Sequence, residues 1–151
     1  MKLAGEGDLV PSYGEQVGVV RADERAELMA GAIALMCPTI YVEPFGCVAV
    51  EAQLCGTPVI STDWGAFTET VEQGVSGYRC RTLGEFMWAA EELAGWDVMR
   101  RLEVQDRARE RWSLETIGRE YETYFRRLET LKGRGWYDET MRSPVGVLSG
   151  A

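Results

Sequence analysis

The chain has 151 residues, 46% hydrophobic and 26% charged, with 24 acidic against 16 basic side chains and a formal charge of −8. That length suits one soluble globular domain, and no apolar run reaches the roughly 18 residues of a membrane-spanning helix. So acidic a surface repels phosphate backbones, which argues against a nucleic-acid partner. The start, Met1-Lys2-Leu3-Ala4-Gly5, lacks the apolar core of a signal peptide, so a cytoplasmic location is expected.

The sequence contains no histidine. Ser-His-Asp and Cys-His catalysis are therefore excluded, and with them most zinc sites. The four cysteines, Cys37, Cys47, Cys55 and Cys80, form no Cys-x-x-Cys pair and lie in or after apolar stretches. They are expected to be reduced and buried.

Lys2-Leu3-Ala4 predicts a short strand, and the apolar run Val17–Val20 a second. Asp23 predicts the cap of a helix from Glu24 to about Gly31, with Ala26, Leu28 and Met29 facing inward. Ala32 to Cys37 is a continuous apolar run stopped by Pro38, the pattern of a strand covered on both faces. A second helix should begin near Phe45-Gly46 and end at Cys55, with Gly56 just beyond its last turn. Pro58–Thr62 predicts another buried strand, Ala66–Gln73 a short helix, and Tyr78–Cys80 a last strand. Thr82 and Glu85 stand at capping-box spacing before a helix to about Ala94. Asp97 and Ser113 should cap two more, the last with Ile117, Tyr121, Tyr124, Leu128 and Leu131 on one face.

The aromatic stripe of Tyr121, Tyr124 and Phe125 is expected to be core, and the arginines between Arg100 and Arg127 a solvated face. Strands alternating with helices predict an α/β fold, a doubly wound parallel sheet in three layers. One Rossmann-like domain should span 1–131, with its long C-terminal helix, before a poorly structured tail over 132–151 anchored only by Trp136-Tyr137.

The segment from Pro38 to Ala52 carries the chemistry. It covers the end of a strand, a loop and the start of a helix, the crevice where open α/β sheets take their ligands. Amides at Phe45, Gly46 and Cys47 would present the positive end of a helix dipole, and Gly46 would let backbone approach a phosphate. Glu43 precedes that helix start. Glu51 lies inside it, its side chain pointing back toward the N-terminus. A carboxylate there suits a ribose diol. The plainer alternative makes Glu43 a loop residue and Glu51 a solvated helix residue.

The whole run resembles the group 1 (family 4) retaining glycosyltransferases. Glu43, seven intervening residues and Glu51 fit that family's paired-acid signature, with the typical Glu43-Pro44-Phe45-Gly46 opening. The likeness continues through Glu51-Ala52, Cys55–Ile60, Gly65, Glu69, Val71, Gly74 and Gly77-Tyr78, and about residues 1–130 follow the family's C-terminal domain in order. The resemblance implies the nucleotide-sugar-binding half of a two-domain GT-B enzyme. By likeness, Glu43 would be catalytic, contacting the donor sugar and stabilising charge at its anomeric carbon. Phe45, Gly46 and Cys47 would bind the sugar and diphosphate through amides, Glu51 would hold the ribose, and Thr62 and Gly65 would border the cleft. No cofactor and no metal is expected, since no Asp-x-Asp is present. The substrate would be a UDP, GDP or ADP sugar.

The likeness also implies departures. The family's first strand and helix, with an Arg and a Lys for the diphosphate, have no counterpart here, nor has the acceptor-binding N-terminal domain. Arg21 and Arg25 are the cations that could stand in. The uncovered sheet positions lead to an expectation of a homo-oligomer, or of a separate N-terminal-domain partner. A nucleotide-binding module without turnover, or an oligomeric remnant that binds nothing, are the alternatives to an enzyme.

Overall fold

The computed structural model describes residues 1–7 and 12–131. The elements are β1 (Lys2–Ala4), β2 (Glu15–Gly18), α1 (Ala22–Ala30), β3 (Leu35–Cys37), α2 (Cys47–Leu54), β4 (Val59–Thr62), α3 (Phe67–Thr70), β5 (Gly77–Cys80), α4 (Leu83–Ala94), α5 (Val98–Trp112) and α6 (Leu114–Leu131). They divide between Arg109 and Glu110 into two compact units. The expected tail, with Trp136 and Tyr137, lies outside the described residues.

The first unit is the expected α/β fold, with every strand pairing parallel. Its layering is written in the alternation of β4. Val59 packs with Met29 of α1, Ala49 and Ala52 of α2, Phe67 and Val71. Its neighbour Ile60 packs with Ala89 and Leu93 of α4, with Trp96 between the helices and with Val104 of α5. Successive strand residues point to opposite faces, so helices cover β4 on both sides. Each such fully buried aliphatic or aromatic side chain contributes about 1.5–3 kcal/mol.

The sheet itself is in two pieces, ordered β1-β2 and β3-β4-β5. Among the described strands β3 is therefore an edge; nor is it the doubly covered strand its apolar run predicts, since Leu35 and Cys37 are half-buried and Met36 is exposed. β2 starts and ends two residues earlier than expected, leaving Val19 outside the strand and exposed.

α1 is capped by Arg21, not Asp23. The Arg21 amide donates to the Glu24 carboxylate at 2.9 Å, and Asp23, inside the first turn, pairs with the Arg21 guanidinium at 3.0 Å. Ala26 is exposed and Leu28 half-buried, so Met29 alone of the expected trio is fully inside. α3 covers half of its expected span, because its backbone turns extended at Val71. The capping box of α4 is present, with Thr82 and Glu85 each taking the other's amide at 3.3 Å. Asp97 and Ser113 cap α5 and α6 as expected.

Arg101 corrects the expectation of a solvated arginine face. Its guanidinium donates to the carbonyls of Ala30 and Ala32 and to Thr57 Oγ1, at 3.1, 2.8 and 3.0 Å. Thr57 Oγ1 in turn donates to the Met29 carbonyl. One α5 side chain thus satisfies the last carbonyl of α1 and one just beyond it, where a cation is also favoured by the helix dipole.

The second unit contains α6. None of its residues is buried, and Tyr121, Tyr124 and Phe125 are exposed, so the aromatic stripe is surface and not core. Tyr121 stacks on Phe125 with ring centroids 6.1 Å apart, as the spacing of four allows. No described helix is long and apolar enough to cross a membrane.

Candidate functional site

The site is built around the start of α2. Gly46 caps this helix with φ +78°, a left-handed conformation, and a Cβ there would lie 2.9 Å from the Phe67 ring. Both facts demand glycine, independently of any ligand. The turn brings Glu43 back over the helix start, where its Oε1 accepts from the Gly46 amide at 3.0 Å. Its Oε2 accepts from the Tyr41 hydroxyl, also at 3.0 Å.

The Gly46 amide is therefore taken by the protein, which corrects the expectation that it is open to a ligand. The Cys47 and Val48 amides have no acceptor among the described residues. Val48 was not foreseen, because the helix begins at Cys47, two residues later than its sequence suggested.

That later start also changes the place of Glu51. It stands four residues after Cys47, hence one turn above it, about 6 Å along the axis and on the same face. Ala49, Val50, Ala52 and Gln53 are buried, whereas Cys47 and Val48 are exposed and Glu51 half-buried. One side of α2 faces the core. The other carries Glu51 directly over the free amides.

Gly65 has φ +60°, and a Cβ added to it would lie 2.7 Å from the Glu43 nitrogen and 2.8 Å from its carbonyl oxygen. The Ala66 amide donates to that same carbonyl at 2.9 Å. The loop after β4 thus clamps the Glu43 backbone, bringing Glu43, Gly46 and Gly65 into one cluster. Thr62 belongs to its edge. The Thr62 hydroxyl and the Trp64 indole both donate to the Thr39 carbonyl, at 2.9 and 3.2 Å. Phe45 is exposed beside the helix start. No contact among the described residues joins Glu51 to Glu43; Glu51 pairs instead with Arg25 of α1.

Local electrostatics follow from these partners. Burial, then the charge of Glu43, pushes the Cys37 thiol up to about 11. The hydrogen bond to Glu43 raises the Tyr41 phenol. Beyond β4 and β5, Asp63 receives Arg81 and Arg79, which hold its carboxyl below the usual carboxylate range. These three line a hollow of about 310 Å³ with Tyr78 and Trp88. The sequence signalled none of this, because the ion pairs join residues 16 and 18 positions apart.

All four cysteines are free thiols. Only Cys80 is buried, contrary to the expectation of four; Cys37 and Cys55 are half-buried, and Cys47 is exposed in the open first turn of α2. Among the described residues no group of three or more Cys, Asp or Glu side chains could hold a metal ion.

Residues 14–91, just over half of the chain, match the family model for glycosyl transferases group 1. The chain belongs to the group 1 glycosyltransferases. The matched span runs from the loop before β2 into α4 and contains every candidate site residue. Among curated relatives, a D-inositol 3-phosphate glycosyltransferase of Kribbella flavida is 48% identical over 46 residues, 30% of this chain and 11% of its own length. An alpha-maltose-1-phosphate synthase of Mycobacterium tuberculosis is 39% identical over 51 residues, 34% of this chain and 13% of its own length. The crystal structure of AviGT4, a glycosyltransferase involved in avilamycin A biosynthesis, superimposes with a TM-score of 0.66 at 28% identity, covering 84% of this chain and 42% of that one. The chain thus spans less than half the length of these relatives.

Proposed function

We propose that the chain is the donor-binding half of a retaining glycosyltransferase, taking a nucleotide diphosphate sugar at the start of α2. The observation that carries this is the open face of α2, with two amides in its first turn that have no acceptor among the described residues, and Glu51 one turn above them. Amides at a helix start favour an anion, so the diphosphate would lie on Cys47 and Val48. A carboxylate one turn away then has the reach to accept hydrogen bonds from the ribose hydroxyls. Glu43, with both oxygens fixed by Gly46 and Tyr41, would face the sugar beside Phe45 and stabilise positive charge developing at the anomeric carbon. Thr62 and Gly65 would border the donor site, Thr62 by supporting Thr39 and Gly65 by its close approach to Glu43. Catalysis would consist of positioning and electrostatic help to the departing diphosphate, with no metal or other cofactor.

Titration with UDP, GDP and ADP in the presence of a chelator tests the donor site. One of them should raise the melting temperature, equivalent to about 2.7 kcal/mol at a hundredfold excess over Kd. It should also slow alkylation of Cys47, the exposed thiol of the helix start. Unchanged binding by Glu51→Ala would refute the assignment of the ribose site.

Assembly forms part of the same proposal. β3 leaves one edge unpaired and Met36 exposed, and an open parallel edge invites a further strand. Cover would come from a second copy of the chain or from an N-terminal-domain partner that also supplies the acceptor site. Sedimentation should show concentration-dependent self-association; a monomer up to the highest concentrations would leave only the separate partner.

A further inference from the structure

We propose that Arg25 is the positioning residue for Glu51, fixing which of its oxygens meets a ligand; this rests on the donor-site reading. The two side chains join α1 to α2 across 26 positions of sequence, and each is 39% exposed. Arg25 Nη2 donates to Glu51 Oε1 at 3.1 Å, while Nε stands 2.9 Å from Oε2. Oε2 is shut off from solvent and receives no aligned hydrogen bond among the described residues. Two guanidinium nitrogens thus hold both carboxylate oxygens, and with Oε2 shut off from solvent Oε1 is the oxygen left to meet a ligand.

An ionised carboxylate has about four acceptor positions, so Oε1 keeps a lone pair after serving Nη2. A free glutamate on an exposed helix face would sample several rotamers, most of them unable to reach a diol held over the first turn. The planar fork of arginine removes that freedom, and a lysine ammonium, a point charge on a flexible stem, cannot reproduce it. Arg25 itself needs no contact with the nucleotide for this role.

The experiment compares the nucleoside diphosphate that binds best with its 2′,3′-dideoxy counterpart, on wild type, Arg25→Met, Arg25→Lys, Glu51→Gln and the double variant. Wild type should prefer the ribose form by about tenfold to a hundredfold, the value of one hydrogen bond to a charged group. Arg25→Met and Glu51→Gln should each abolish that preference while still binding the dideoxy form. The double variant should be no weaker than either single one, since both remove the same interaction. Arg25→Lys should restore the preference only in part. A structural role alone would lower the melting temperature and leave the preference intact. If wild type discriminates and Arg25→Met discriminates equally, this inference is overturned and the donor site stands. If wild type binds none of UDP, GDP and ADP, the donor site falls and the inference with it.

Discussion

At the scale of single residues, the candidate site depends on two glycines held in left-handed backbone. Gly65 is the more demanding, because the atoms a side chain would strike belong to the backbone of Glu43. Gly65→Ala combines the cost of a left-handed conformation with a clash that only backbone movement can relieve, about 2–4 kcal/mol in all. Urea denaturation should register that loss, and nucleotide titration a weakened site, since the displaced residue is Glu43. Gly65 was legible in the sequence through its likeness to the family. Its partner was not, because a contact between residues 43 and 65 leaves no local pattern. Gly46 was likewise legible as a position, yet its cause is the Phe67 ring and a left-handed turn. Glu43 was expected to face a ligand. That its Oε1 also closes the turn by taking the Gly46 amide follows only from the three-residue loop geometry.

Among the elements, those with local signals were the ones the sequence disclosed. Thr82 and Glu85 announce α4, Asp97 and Ser113 announce the two helices after it, and Gly56 with φ +75° marks the end of α2. Elements set by their neighbours were less legible. The run from Ala32 to Cys37 has the composition of a central strand, but hydrogen bonds on one side only make Leu35–Cys37 an edge. α6 has the strongest apolar periodicity in the chain, and periodicity alone does not say whether its stripe is covered. Arg101 is the corresponding surprise within a charged helix, holding the carbonyls of Ala30 and Ala32 and the Thr57 hydroxyl at the end of α1. Arg101→Met keeps most of the aliphatic stem but strands those acceptors. It should cost about 2–3 kcal/mol in thermal denaturation, and Arg101→Lys should recover little of it, because one ammonium cannot span three acceptors.

For the molecule as a whole, the α/β layering was readable from alternating strands and helices, and the paired acids with the glycine between them marked the family. What the sequence withheld was the division of the sheet into β1-β2 and β3-β4-β5. That division has a consequence for motion. Among the described residues no ladder of backbone hydrogen bonds links β1 and β2 to the larger sheet, and every residue of the pair is exposed or half-buried. Amide protons of such a pair can exchange with solvent through local opening, at a free energy far below that of unfolding the layers around β4. The first unit would then behave as two cooperative blocks. The block containing Glu43 and Glu51 keeps its order while the other opens and recloses.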